Sequence, residues 1–193
     1  CYTASAIVGW SNCHPVYHSL NIKLDEERAV IVGMGNVALD VARILCRPVN
    51  ELYSTDISNK TIETLKNSKL KEIFIVGRRG PAQTKFKENE LLAMEDIGDT
   101  DIIINPDELK LNRTSQEEVD SNSSLQRIFK IFSKFACNKP KKSKQIYITF
   151  LKTPIRIVGN GKVEQIMLEK NILEGPKNRQ YPVGTSNIEM LSC

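Results

Sequence analysis

The chain has 193 residues, 40% of them hydrophobic and 26% charged, and its 27 Lys and Arg against 23 Asp and Glu give a formal charge of +4. This is enough chain for one domain with a sizeable core, it lacks the concentrated basic stripe of a nucleic-acid binder, and no apolar run approaches a membrane span. The cysteines at 1, 13, 46, 137 and 193 are scattered, with neither metal-ligand nor disulfide-framework spacing, so free thiols in a reducing compartment and no bound metal are expected.

The chain starts at Cys1 rather than Met and shows no secretory signal, so it reads as a piece of something longer. Residues 1–26 carry no clear helix or strand pattern and read as a connector. Residues 27–193 read as the domain proper. Trp10, the sole tryptophan, is expected to pack against the domain edge. His14 and His18 are four apart, but Pro15 lies between them and nothing nearby completes a metal site.

The pattern sharpens at residue 28. Ala29 to Val32 form a short apolar run, Gly33-Met34-Gly35 follows, and then Val37, Ala38, Val41, Ala42 and Leu45 recur with helical period. Strand, glycine turn and helix open a dinucleotide-binding βαβ unit. Gly33 allows the sharp turn, Gly35 lets a pyrophosphate approach the backbone, and Ala38 is the third small position, where helix packs on strand. Asn36 sits at the helix start, where free N–H groups face an anion. Pro48 should end this helix near Arg47. Residues 48–60 read as a loop, and Asp56 or Ser58 as the cap of a short helix to about Lys66.

Glu72 to Val76 is the second strong strand, ending in Gly77-Arg78-Arg79-Gly80-Pro81. In this fold that end meets the adenine ribose, where NAD-binding sites place Asp or Glu. Two arginines there suit a 2′-phosphate, so the spacing predicts NADP over NAD. A helix is expected over Lys87–Asp96, bringing Glu90 near the arginines. A third strand follows at Asp101–Ile104. Residues 112–124 read as a mobile loop, Leu125–Phe135 as a helix with an apolar face, and 139–144 as a basic loop. The remainder reads as an antiparallel meander of Gln145–Lys152, Pro154–Val158 and Val163–Glu169, with Gly175–Gly184 as loop and no clear terminal element. The fold class expected is therefore α/β: a Rossmann-like parallel sheet flanked by helices, with an added antiparallel meander. No nucleophile–base pair, carboxylate pair or metal cluster accompanies the motif. The chemistry is thus expected on a bound cofactor rather than on side chains of this chain.

The strings Val32-Gly33-Met34-Gly35-Asn36-Val37-Ala38-Leu39-Asp40-Val41-Ala42-Arg43-Ile44-Leu45 and Val76-Gly77-Arg78-Arg79-Gly80-Pro81 closely resemble the adrenodoxin reductase family, mitochondrial-type ferredoxin–NADP⁺ reductases. The resemblance runs from about Ile7-Val8-Gly9-Trp10 through Leu91. It implies that Met34, Gly35, Asn36 and Val37 line the NADP pyrophosphate, that Arg78 and Arg79 hold the 2′-phosphate, and that Glu90 contacts the NADP ribose. It implies an NADP(H)-binding domain inserted in an FAD domain that lies outside this chain and without which the domain is inactive. It further implies hydride passing from NADPH to FAD and then single electrons to an acidic [2Fe–2S] ferredoxin, in a monomeric, mitochondrial protein. Where the family carries a basic run, this chain has Asp120-Ser-Asn-Ser-Ser124. Arg127, Lys130, Lys134 or the 139–144 loop are expected to compensate. Alternatives from the same reading are the NADPH domain of a glutamate synthase small subunit or dihydropyrimidine dehydrogenase, and a non-catalytic NADP-binding module.

Overall fold

A computed structural model describes residues 1–193. Its elements in order are α1 (Ala4–Ser11), β1 (Arg28–Val32), α2 (Asn36–Cys46), α3 (Val49–Leu52), α4 (Asn59–Lys66), β2 (Glu72–Val76), α5 (Glu88–Leu92), β3 (Thr100–Ile103), α6 (Arg113–Asp120), α7 (Ser123–Ala136), β4 (Lys144–Thr149), β5 (Lys152–Val158), β6 (Gln165–Glu174) and β7 (Tyr181–Ser192). One sheet is parallel in the order β1-β2-β4-β3, and a second is antiparallel in the order β5-β6-β7.

Alternation along the parallel strands sorts the side chains. Ile31, Ile73, Ile75, Ile146 and Ile148 join the main core with Leu39 and Ala42 of α2 and Phe132 and Phe135 of α7. Burying side chains of this size stabilises by about 1.5–3 kcal/mol each. On the other face, Val76 packs with Ile166 and Leu168 of β6, so the antiparallel sheet covers what helices leave bare. Phe74 and Tyr147 stack beside it with ring centroids 4.8 Å apart. α1 lies on α2, and its Trp10 is fully buried in the main core. Cys46 is buried there too, which pushes its thiol up to about 12 and keeps it protonated.

The two-layer α/β architecture agrees with the pattern of the sequence, and five segments depart from it. The expected connector at 1–26 contains α1, and Trp10 lies in the main core rather than at the domain edge. Residues 144–149 do not belong to the meander. They insert between β2 and β3 in the parallel sheet. The expected mobile loop at 112–124 contains α6, capped by the Asn112 side chain, which accepts from Ser115 N–H at 2.8 Å. Its polar residues mislead because Ser115 and Glu118 are buried rather than solvated. The C-terminal stretch forms β7, whose Pro182 is tolerated because β7 is an edge strand. The 48–60 loop holds one helical turn, α3.

Val32 lies level with Val76, and Val76 with Thr149, so β1, β2 and β4 end side by side. Turns 33–35 and 77–80 and segment 150–152 therefore meet at the carboxyl edge of the sheet, where ligands bind in open α/β folds.

Candidate nucleotide-binding site

Gly33 has φ +129°, a conformation open to glycine, and its N–H donates to Val76 O at 2.9 Å. That bond ties the turn after β1 to the end of β2. Gly35 caps α2 with an extended backbone, and no side chain caps the helix. The Val37 N–H has no partner within the protein. A Cβ built on Gly35 would meet no atom within 4 Å. The space beside this helix start is thus open, and the partial positive charge of the helix end faces it. Gly77 has the opposite reason to be glycine: a Cβ there would lie 2.2 Å from the Met34 side chain. The two turns pack directly on one another.

Together they enclose a cavity of about 320 Å³ lined by Gly33, Met34, Gly35, Gly77, Arg78, Arg79, Gly80, Gln83 and Lys85, with Val32, Val76 and Pro154. Three cations and no carboxylate line it. Neither Arg78 nor Arg79 is in an ion pair, although carboxylates engage Arg28, Arg43, Arg47, Arg113 and Arg127 elsewhere. An Asp or Glu on the ribose hydroxyl, as an NAD site uses, is missing at the end of β2. The donor set instead suits a multiply charged anion: two forked guanidiniums, an ammonium and a free helix N–H.

Five of the residues expected from the sequence line this cavity: Gly33, Met34, Gly35, Arg78 and Arg79. Asn36 and Val37 form the adjoining first turn of α2. The Asn36 side chain does not cap its own helix; it accepts from Lys87 N–H at 2.9 Å and pins segment 85–87 against the turn. Val37 faces a second cavity on the other side of the helix start, beside Cys13 and His14. Glu90 does not line the cleft. Arg43 of α2 holds it at 2.8 Å and reaches Asp40 at 3.2 Å.

Three lining residues were not anticipated: Pro154, Lys85 and Gln83. Lys85 extends a pairing between its own backbone and the glycine turn, its N–H donating to Met34 O at 2.9 Å. Gln83 donates its amide to Ser115 Oγ at 3.1 Å and Glu118 Oε2 at 2.8 Å, and its Oε1 is buried without a partner. A basic K-x-K spacing hinted at Lys85; Gln83 had no sequence signal. Behind the arginines, three successive carbonyls are anchored. Gly77 O accepts from Lys152 N–H at 3.0 Å and Arg79 O from Leu151 N–H at 3.1 Å. Arg78 O accepts from the Asn171 side chain at 2.8 Å.

Among the basic residues expected to meet an acidic partner, Arg127 pairs with Glu88 at 2.6 Å and Lys134 pairs with Glu95. Lys142 and Lys144 donate to the Thr100 and Leu45 carbonyls at 3.0 and 3.1 Å. Lys130, Lys139 and Lys141 have side chains without a carboxylate partner.

Parallel sheet, glycine turn, uncapped helix start and paired arginines define a dinucleotide-binding domain of the Rossmann-like class. No protein-family model matches the chain. The NADPH:adrenodoxin oxidoreductase, mitochondrial, of Arabidopsis thaliana is 36% identical over 203 residues, covering 100% of this chain and 42% of that protein. The NADPH-ferredoxin reductase FprA of Mycobacterium leprae is 38% identical over 167 residues, covering 86% of this chain and 36% of that protein. The structure of Mycobacterium tuberculosis FprA in complex with NADPH superposes with a TM-score of 0.92 at 34% identity, over 98% of this chain and 42% of that one. The chain belongs to the adrenodoxin reductase family and spans about two-fifths of the length of the curated relatives it matches.

Proposed function

We propose that the cleft binds NADP(H). The pyrophosphate lies against Gly33, Met34, Gly35, Asn36 and Val37, where the free N–H and the open space beside Gly35 receive it. Arg78 and Arg79 hold the 2′-phosphate, and Lys85 adds a third positive charge. Glu90 is held by Arg43 outside the cleft lining, and its contact with the ribose rests on the family resemblance alone. The observation that carries this reading is the cleft lined by three cations and no carboxylate, with both arginines free of ion pairs. NADP(H), when bound, supplies hydride; the chain's own residues bind and orient it, and none is asked to move a proton.

The whole protein's activity follows as a proposal from the relatives' names. It is NADPH-dependent reduction of a [2Fe–2S] ferredoxin through FAD, with FAD held mainly outside these residues. A monomeric protein of mitochondria or a mitochondrion-derived organelle fits the family resemblance and the plant relative's name. No helix is long and apolar enough to cross a membrane. Lys130, Lys139 and Lys141 are the side chains most available to an acidic ferredoxin. Their replacement by alanine should slow ferredoxin reduction at low salt; an unchanged rate removes them from the docking surface.

Calorimetric titration of the full-length gene product with NADP⁺ and, separately, NAD⁺ tests the nucleotide assignment. NADP⁺ should bind more tightly. Equal affinities would refute the role given to the arginines.

A further inference from the structure

The arginine turn carries little of its own support. Residues 77–80 follow β2 directly, and the nearest local bond, Gln83 N–H to Gly80 O at 3.1 Å, lies beyond the arginines. What holds the backbone under Arg78 and Arg79 comes from the far end of the chain. Gly77 O and Arg79 O are fixed by main-chain N–H groups of Lys152 and Leu151, and Leu151 adopts φ +56°. Only the middle carbonyl, Arg78 O, is held by a side chain.

That side chain is Asn171, 93 residues further on. It is 6% exposed and sits where the β6–β7 register shifts, next to Glu169. Its N–H donates to Leu151 O at 2.8 Å. Its amide nitrogen has two hydrogens and both are used: one reaches Arg78 O at 2.8 Å, the other Thr153 Oγ1 at 2.8 Å. The Arg78 carbonyl can only accept, so it must face the amide nitrogen, and this determines the orientation of the amide. The Arg78 carbonyl belongs to the peptide plane joining the two arginines. Fixing that plane fixes the direction in which both side chains leave the backbone.

We infer that Asn171 is a positioning residue for 2′-phosphate selectivity. It acts through the Arg78–Arg79 peptide and sets the separation and aim of the two guanidiniums. The inference rests on the NADP reading above. The antiparallel sheet thereby takes part in nucleotide discrimination without touching nucleotide.

The probes are 2′,5′-ADP and 5′-ADP, which differ by the phosphate the arginines meet. Titration of the full-length gene product compares the parent, Asn171→Asp and the double variant Arg78→Ala, Arg79→Ala. Aspartate keeps the shape but turns a donor into an acceptor facing a carbonyl. We expect Asn171→Asp to weaken 2′,5′-ADP binding about tenfold, the effect of one lost buried hydrogen bond, and to leave 5′-ADP unchanged. A general loosening of the cleft would weaken both nucleotides alike and overturn the assignment. So would an unchanged preference in Asn171→Asp alongside a lost preference in the arginine variant. If the parent itself shows no preference for 2′,5′-ADP, the failure lies with the arginine reading. Should Asn171→Asp not fold, Thr153→Val removes the second anchor of the amide in an isosteric way. It should reduce the same preference by a smaller factor, and no reduction there overturns the inference.

Discussion

The glycine turn after β1 and the arginine turn after β2 lie against each other, yet they are built in opposite ways. The glycine turn takes its conformation chiefly from its own residues, a left-handed glycine, an open N-cap and a helix that begins at once, while bonds to Val76, Lys85 and Lys87 tie it to its neighbours. The arginine turn is shaped by residues about 70 to 95 positions away, which anchor its carbonyls from behind. On the proposed NADP(H) reading, phosphate binding in general draws mainly on local sequence, whereas selectivity for one more phosphate draws on the assembled tertiary structure.

The largest effect that would sharpen this contrast falls on the arginine turn. Replacing Arg78 and Arg79 together by alanine should erase the margin of NADP⁺ over NAD⁺, a loss on the order of 2–4 kcal/mol for two charge-assisted contacts. Binding of NAD⁺ should remain, because the glycine turn is untouched. Loss of both nucleotides in calorimetry would mean that the two turns do not divide the work.

Gly35→Ser probes the other side. The backbone there is extended, a Cβ has room, and serine is a good N-cap, so urea unfolding should show stability unchanged or raised by up to about 1 kcal/mol. NADP⁺ and NAD⁺ should both lose affinity, roughly tenfold, because the hydroxyl takes the free N–H that the pyrophosphate needs. A loss confined to NADP⁺ would contradict a general phosphate role for this turn.

A smaller effect tests the distant support. Asn112→Ala removes the cap of α6, whose Glu118 holds Gln83 beside the cleft, and should cost about 1 kcal/mol in denaturant unfolding. The nucleotide preference should survive it, since Asn112 contacts no part of the 77–80 backbone.

The smallest effect is one of pH. Glu108 accepts from Phe150 N–H at 2.7 Å and meets Lys152 at 3.3 Å, so it steadies the segment that clamps the arginine turn. Burial pushes its carboxyl above the ordinary carboxylate range. A folded pKa above the unfolded one gives a contribution that is fully present below the unfolded value and is lost as pH rises through the folded one. Glu108→Gln lacks that titration. The stability of the variant relative to the parent should therefore rise with pH across the window just above the ordinary carboxylate value. A pH-independent difference in urea midpoints would show that Glu108 titrates as an exposed carboxylate does. No such titrating support stands behind the glycine turn.

The same division explains what could be read from the sequence. β1, the glycine turn, α2 and β2 were legible because their apolar spacing, glycines and flanking proline act within a few residues of one another. The arginines were legible as a pair through their place at the end of β2. The position of β4 was not: an alternating apolar strand looks alike in a parallel or an antiparallel sheet, and only its pairing with β2 and β3 decides. α6 was hidden because its buried face is polar, with Ser115 and Glu118 satisfied by Gln83 and Gln180 rather than by water. Asn171 was hidden for a similar reason, since one asparagine in a strand announces nothing until its acceptor is seen.

The strand order β1-β2-β4-β3 carries a consequence for how this chain is made. β2 is an inner strand, yet one of its two neighbours is synthesised about 70 residues after it. Emerging from a ribosome, β1, α2 and β2 present an apolar strand with a bare edge until residue 149 has cleared the exit, and distant pairing of this kind is slow to form. The nascent domain thus passes through a stage in which both turns have been synthesised, the segment that clamps the arginine turn has not, and a sticky sheet edge is exposed. That interval is when a chaperone has most to offer it.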